Sequence, residues 1–166
     1  YVQQDVFLFS DTVANNIRFG VSEHTTIERV QEAAKSASIH EEIMGFENGY
    51  ETLIGERGVT LSGGQKQRIS IARALIKAPE IVLFDDCLSA VDAKTENHII
   101  GHLYEYLKAK TALIVTHRIF AGFKFDQIIV LEDGIIIEQG THEELMNLNG
   151  YYAELYKLQL QTNKEA

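Results

Sequence analysis

Three short stretches place backbone amides, carboxylates and an imidazole where phosphate chemistry would need them. Leu61-Ser62-Gly63-Gly64-Gln65 opens a run of helical pattern. Its two glycines let a ligand come close to the backbone, and the free N–H groups of a helix start attract an anion. The same residues have the S-x-x-Q spacing of a capping box, so a purely local role is equally open. Ile81-Val82-Leu83-Phe84-Asp85-Asp86 is an apolar run that ends in two acids. Acids at the carboxyl end of a parallel strand sit where α/β sheets bind ligands. One such carboxylate can hold Mg²⁺ through water and a second can orient an attacking water, though a strand end entering a loop is often polar for no such reason. Thr116-His117 follows another apolar run. An imidazole there can hydrogen-bond a terminal phosphate, although a lone histidine is more often a plain surface or capping residue.

These residues need elements to carry them. A helix is expected from Thr25, where Thr25 and Glu28 can form a capping box and Ile27, Val30, Ala34 and Ala37 recur at helical spacing. Gly45, Asn48 and Gly49 break it, and a loop leads through Gly55-Glu56-Arg57-Gly58. A second helix starts near Ser62, carries Ile69, Ala72, Leu75 and Ile76 on one face, and ends before Pro79. Ile81–Phe84 and Ala112–Val115 read as parallel strands covered on both faces, with a helix between them using Ile99, Leu103 and Leu107. Ile128–Leu131, Glu132-Asp133-Gly134 and Ile135–Ile137 read as a hairpin, because Asp-Gly supplies positive φ cheaply. Thr141 and Glu144 cap a last helical region that runs past Tyr156. Strands alternating with helices make the class α/β. The stretch from Asp11 to Gly58 has no convincing strand and reads as a separate helical lobe.

Composition narrows the function. The 166 residues fit one domain of ordinary globular content, 45% hydrophobic and 23% charged. A net charge of −9 argues against a broad nucleic-acid footprint, while leaving room for a nucleotide held by backbone amides and a metal ion. Cys87 is the only cysteine, so no internal disulfide is possible and redox work is not expected of it. No apolar run approaches the roughly 20 residues of a membrane-spanning helix. His98 and His102 have i, i+4 spacing but no obvious third ligand, which disfavours a metal site. Tyr151, Tyr152 and Tyr156 read as packing of the last helix.

Taken in order, Gln4-Asp5, Leu61-Ser62-Gly63-Gly64-Gln65, Asp85-Asp86, Ser89-Ala90-Val91-Asp92 and His117 resemble the motifs of ABC ATPases. There they are called the Q-loop, signature motif, Walker B, D-loop and H-loop. The resemblance runs from Tyr1 to about Leu158. It sharpens towards exporters through Gln4-Asp5-Val6-Phe7-Leu8-Phe9 and Thr12-Val13-Ala14-Asn15-Asn16-Ile17, similar to the segment that faces the transmembrane domains, and through Thr52-Leu53-Ile54-Gly55-Glu56-Arg57-Gly58. Leu53 departs from the acid often found there, and Gln3 stands where proline is common. The resemblance implies a RecA-like P-loop NTPase core with an α-helical subdomain. Residues 1–10 would be the Q-loop and the end of a core strand, 11–78 the helical subdomain with the signature helix, and 79–166 the rest of the core. It implies ATP and Mg²⁺ as cofactors. Asp85 and Gln4 would serve the metal, with Asp86 as catalytic base, His117 as γ-phosphate contact and Gln4 as sensor. Ser62, Gly63, Gly64 and Gln65 would bind the nucleotide held by an opposite subunit, and Asp92 would communicate across that interface. The implied partners are a second nucleotide-binding domain, identical or different, and transmembrane domains, which would hold the chain at the cytoplasmic face of the cell membrane. A soluble ABC ATPase outside transport would share the core motifs.

Two departures carry further expectations. Asp86 stands where the family usually has glutamate, which looks like the mark of a degenerate, slow site in a heterodimer. No G-x-x-x-x-G-K followed by Ser or Thr occurs in the chain. The phosphate-cradling loop of the family lies upstream of the Q-loop, so the chain reads as a C-terminal fragment that is inactive alone. In the family's sheet the strand before that loop resembles a keystone between Ala112–Val115 and Ile128–Leu131. Without it those strands would show bare apolar faces and unpaired backbone groups.

Overall fold

A computed structural model describes residues 1–22, 24–55, 61–87, 101–120 and 123–165. Contacts divide the chain into two compact units, Tyr1–Thr116 and His117–Ala166.

In the first unit the described residues between 11 and 55 fold into short helices and turns. These are α1 (Val13–Arg18), α2 (Ile27–Ser36), α3 (His40–Met44) and a 3₁₀ turn, Gly49–Glu51. The start of α2 is corrected by one residue. Thr26, not Thr25, is the N-cap, because Thr25 turns inward and donates its N–H to the Ser22 carbonyl. Val30, Ala34 and Ala37 are buried as the spacing predicts, Ala33 joins them, and Ile27 is only half-buried. Helix α4 (Gly63–Leu75) follows, and its inward face of Ile69, Ala72, Leu75 and Ile76 is fully packed. The chain leaves it through Ala78 at φ 49° and Pro79, which cannot continue a helix.

Strands β1 (Ile81–Asp85) and β2 (Thr111–Val115) pair in parallel, with Asp85 opposite Val115. Val2 lies on the other side of β1: its N–H donates to the Leu83 carbonyl, and Asp85 N–H donates to the Val2 carbonyl. The order is therefore the Val2 segment, β1, β2, all parallel. Residues 101–107 are helical and anchored to the sheet's approach, for Tyr106 donates its hydroxyl to the Leu75 carbonyl at 2.9 Å. The expectation that both strands are covered on two faces is not met. Val82 and Phe84 are buried on one face of β1, whereas Ile81 is exposed, and Leu113 and Val115 of β2 are half open. A parallel sheet is normally covered by helices on both sides, and among the described residues only one face of β1 is buried.

The second unit is built on the hairpin of β3 (Ile128–Glu132) and β4 (Ile135–Gly140). Asp133 and Gly134 turn it at φ 48° and 79°, the two positive values that an Asp-Gly turn supplies. Helix α5 (His142–Leu148) starts at Thr141, whose hydroxyl accepts from Glu144 N–H while the Glu144 carboxylate accepts from Thr141 N–H. The single last helical region expected from the sequence is in fact two. Asn149 adopts a left-handed conformation at φ 53° and ends α5, and α6 (Tyr151–Glu165) starts afresh. Glu138 of β4 accepts the first amides of α6, from Tyr151 and Tyr152, and so ties that helix start to the hairpin. Tyr152 is buried and shares a 2.8 Å hydrogen bond with His142, and Tyr156 meets the same ring edge-on, whereas Tyr151 is exposed and does not pack as expected. Ile129, Leu131, Ile135 and Ile136 stand exposed on the hairpin.

Candidate functional site

The carboxyl end of β1 gathers the first group of candidate residues. Val2 is in register with Phe84, so Gln4, two residues on, reaches the same end of the sheet as Asp85 and Asp86. Asp86 N–H donates to the Val115 carbonyl at 2.8 Å, which fixes the acid just past the last rung of the β1–β2 ladder. Its φ is 43°, a left-handed turn that aspartate tolerates better than most side chains. Gln4 Nε2 donates to Asp86 Oδ2 at 3.3 Å. Asp85 points to the neighbouring side and accepts the Tyr1 hydroxyl at 2.6 Å. That hydrogen bond raises the phenol's pKa, with burial and the carboxylate's charge adding to it.

Among the described residues no three His, Cys, Asp or Glu side chains cluster as a metal cage. The donors present at this strand end are two carboxylates and an amide, all hard oxygen ligands. Such a set fits Mg²⁺, which keeps waters and takes most of its remaining ligands from phosphates. Cys87 follows directly and is buried. Burial pushes its thiol up to about 12, with the charges of Asp86 and Asp85 adding to the shift. The thiolate is the reactive form, so Cys87 is expected to alkylate with iodoacetamide at pH 8 at least about a hundredfold more slowly in the folded protein than after unfolding. Equal rates, followed by mass spectrometry, would contradict this burial.

The second group sits at the start of α4, where both readings of Ser62–Gln65 are compatible. The capping box is real: Ser62 Oγ accepts Gln65 N–H at 3.2 Å, and Gln65 Oε1 accepts Ser62 N–H at 2.9 Å. It holds the first turn in shape without using the N–H groups of Gly63 and Gly64, which remain the donors a helix start offers to an anion. Its contacts run towards α3. Gln65 Nε2 donates to Glu42 Oε2 at 3.0 Å, and Arg68, one turn on, forks onto both oxygens of the same carboxylate. No hydrogen bond among the described residues joins this group to Gln4, Asp85 or Asp86.

Of the remaining predicted residues, His117 opens the second unit, directly after Thr116 at the end of β2. Asp92 and His98 lie outside the described residues. His102 is bonded through Nδ1 to the Ser38 hydroxyl at 2.8 Å.

Sequence reasoning missed three residues that organise these groups. Glu42 and Arg68 are one pair. Arg73, near the end of α4, is the other case: it donates to the Asn16 carbonyl, the Phe7 carbonyl and Asn16 Oδ1 at 2.7, 2.8 and 2.9 Å, and lies over the rings of Phe9 and Phe19. A cleft of about 280 Å³ opens beside it, with Phe7, Phe9, Phe19 and Lys77 in its wall. Buried guanidinium groups leave no periodicity signal, so only their interruption of an apolar helix face hinted at them.

Comparison with known proteins follows the same residues. The family model described as ABC transporter matches residues 1–89. The chain is 48% identical over 160 residues to ATP-binding cassette sub-family B member 6 of Rattus norvegicus, covering 96% of this chain and 19% of that protein. It is 52% identical over 159 residues to the probable multidrug resistance ABC transporter ATP-binding/permease protein YheI of Bacillus subtilis (strain 168), covering 96% of this chain and 27% of that protein. The structure of a bacterial Atm1-family ABC exporter with ATP bound superposes with a TM-score of 0.88 at 41% identity, over 96% of this chain and 28% of the other. The chain thus spans about a fifth to a quarter of the length of these proteins.

Proposed function

The chain belongs to the ABC transporter family, as part of a nucleotide-binding domain with an incomplete RecA-like α/β core, and from that premise we propose that it serves the ATP-hydrolysing half of an exporter. The observation that carries this reading is the meeting of Gln4 with Asp86 at the carboxyl end of β1. A Q-loop amide and a strand-end acid brought within hydrogen-bond reach form the part of an ATPase site that senses and attacks a terminal phosphate. Bound Mg²⁺ would supply charge neutralisation at the β- and γ-phosphates. On the protein's side, Asp85 would hold the ion through water with Gln4 nearby, Asp86 would take the proton of the attacking water, and His117 would hydrogen-bond the γ-phosphate. Ser62, Gly63, Gly64 and Gln65 would offer amides and a hydroxyl to ATP held by a second nucleotide-binding domain, and Asp92 would connect the two halves. Closure of that head-to-tail pair would drive export through transmembrane domains, placing the chain at the cytoplasmic face of a membrane. No helix among the described residues is itself long and apolar enough to cross one. The sequence division into 1–10, 11–78 and 79–166 remains our proposal for how the domain is parcelled.

A second reading is favoured by one residue. Aspartate at position 86 is a methylene shorter than the glutamate usual in the family, so this chain's own site is proposed to be a slow, regulatory one opposite a faster partner.

A titration of ATP with Mg²⁺ against the complete protein and against these 166 residues alone tests the main reading. The complete protein is expected to bind in the micromolar range and the 166 residues not at all, because no phosphate-cradling loop is among them. Absence of binding to the complete protein would end the ATPase reading. Clear binding by the short chain would mean that another element replaces the loop.

A further inference from the structure

A helix start that contacts a nucleotide must be aimed by its surroundings. Gln65 has one amide with two different ends, and the structure gives each a demanding partner. Its oxygen accepts Ser62 N–H at 2.9 Å, and its Nε2 donates to Glu42 Oε2 at 3.0 Å. An ionised carboxylate accepts only and a backbone N–H donates only, so a flipped amide would set donor against donor and acceptor against acceptor. Glu42 is itself held. Arg68 reaches both of its oxygens, Nη2 to Oε2 at 3.0 Å, while Arg68 Nε donates to the Gly64 carbonyl at 3.1 Å and Nη1 to the Ser38 carbonyl at 2.8 Å. The Arg68 side chain is only 7% exposed, so its fork is fixed by packing, whereas Glu42 at 41% is reached by solvent. A bidentate arginine–carboxylate pair is the strong, directional kind of ion pair. Glu42 therefore connects α3 to two residues of the first turns of α4, and one of the two is Gln65 of the candidate phosphate-binding turn.

We infer that Glu42 is a positioning residue for nucleotide binding: it locks the Gln65 amide and, through the reciprocal Ser62–Gln65 bonds, sets the direction in which Ser62, Gly63 and Gly64 present their donors to a triphosphate. This inference rests on the proposed role of Ser62–Gln65. Glu42 need touch no ligand to do this. A turn misaimed by about 1 Å loses much of its contact with a phosphate.

The test is steady-state ATP hydrolysis and thermal unfolding of the complete protein carrying Glu42→Gln, Glu42→Asp or Ser62→Ala. Glu42→Gln keeps the shape but weakens the hold on both Gln65 and Arg68. Glu42→Asp keeps the charge for Arg68 and withdraws the carboxylate from Gln65, which guards against a Glu42→Gln variant that fails to fold. The inference expects KM for ATP to rise about threefold to tenfold in both Glu42 variants, the range spanned by one net hydrogen bond. It expects kcat to change by less than about twofold per folded molecule. A fall in melting temperature with KM unchanged in both would make Glu42 merely structural and overturn the inference, as would no change at all. Ser62→Ala separates the premise. If it raises KM and the Glu42 variants do not, only the role of Glu42 fails; if Ser62→Ala also leaves KM unchanged, the reading of the turn as a nucleotide contact fails with it.

Discussion

Replacing Asp86 by glutamate is expected to raise the rate of ATP hydrolysis at the site this chain contributes by about a hundredfold. Reach is what separates the two side chains. Asp86 is anchored through its own N–H to the Val115 carbonyl, and its backbone is committed to a left-handed turn just past the carboxyl end of β1. The carboxylate therefore cannot advance by shifting its main chain without breaking that bond. An aspartate in the position of a glutamate then ends about 1 Å short of the water it must orient, and a displacement of that order can cost about a hundredfold in rate. The corresponding barrier is about 2.7 kcal/mol. Gln4 Nε2 sits 3.3 Å from Asp86 Oδ2, at the long end of a hydrogen bond, so the longer side chain can keep or tighten this contact. The measurement is single-turnover phosphate release from the complete protein, with the partner site silenced so that only this site reports. A rise confined to this site, with ATP affinity unchanged, identifies the missing methylene as the cause of slow turnover. An unchanged rate would mean that Asp86 already reaches its water, and the proposal of a slow regulatory site would fall.

What the sequence made legible was local. Ser62 and Gln65, and Thr141 and Glu144, announced capping boxes at the spacing that forms them, and both are present. Asp133-Gly134 specified the hairpin turn by backbone preference alone. Ile81–Phe84 announced a strand, though not its one-sided burial, and the acids at its end fall where a parallel sheet puts ligands. At α2 the reading slipped: the capping box expected of Thr25 and Glu28 does not form, because Thr25 is drawn inward by the Ser22 carbonyl and the N-cap position falls to Thr26, which makes no side-chain cap bond. The short α1 was passed over because its 6 residues hold too few turns for periodicity to register. The organising side chains were the least legible. Glu42 meets Arg68 across 26 positions and Arg73 meets Asn16 across 57, distances at which no spacing rule operates. Charged residues on an amphipathic helix also read by default as its solvent face.

Arg73 is where that default misleads most, and its removal is expected to have the largest effect on stability. Its guanidinium satisfies two backbone carbonyls, Phe7 and Asn16, together with Asn16 Oδ1. Asn16 is fully buried and spends the rest of its side chain on the same segment, accepting Phe9 N–H and donating to the Phe9 and Thr12 carbonyls. Arg73 and Asn16 together thus hold residues 7–19 against α4, with the guanidinium also lying 5.5 Å from the centre of the Phe9 ring. Burial lowers the pKa of Arg73 from the usual guanidinium value, which marks an environment where orphaned acceptors are costly. Arg73→Ala leaves three acceptors without their charged donor and is expected to destabilise the first unit by about 3 kcal/mol. Arg73→Lys should recover less than about half of that, since one ammonium on a flexible stem cannot reproduce a planar fork over two carbonyls and an amide. Urea unfolding should show the midpoint fall with an unchanged slope. Hydrogen exchange locates the effect, for the Phe9 amide, which donates to Asn16 Oδ1, should lose its protection first. A loss of less than about 1 kcal/mol in Arg73→Ala would mean that water replaces the guanidinium at little cost, and that α4 and the aromatic segment are held together by apolar packing alone.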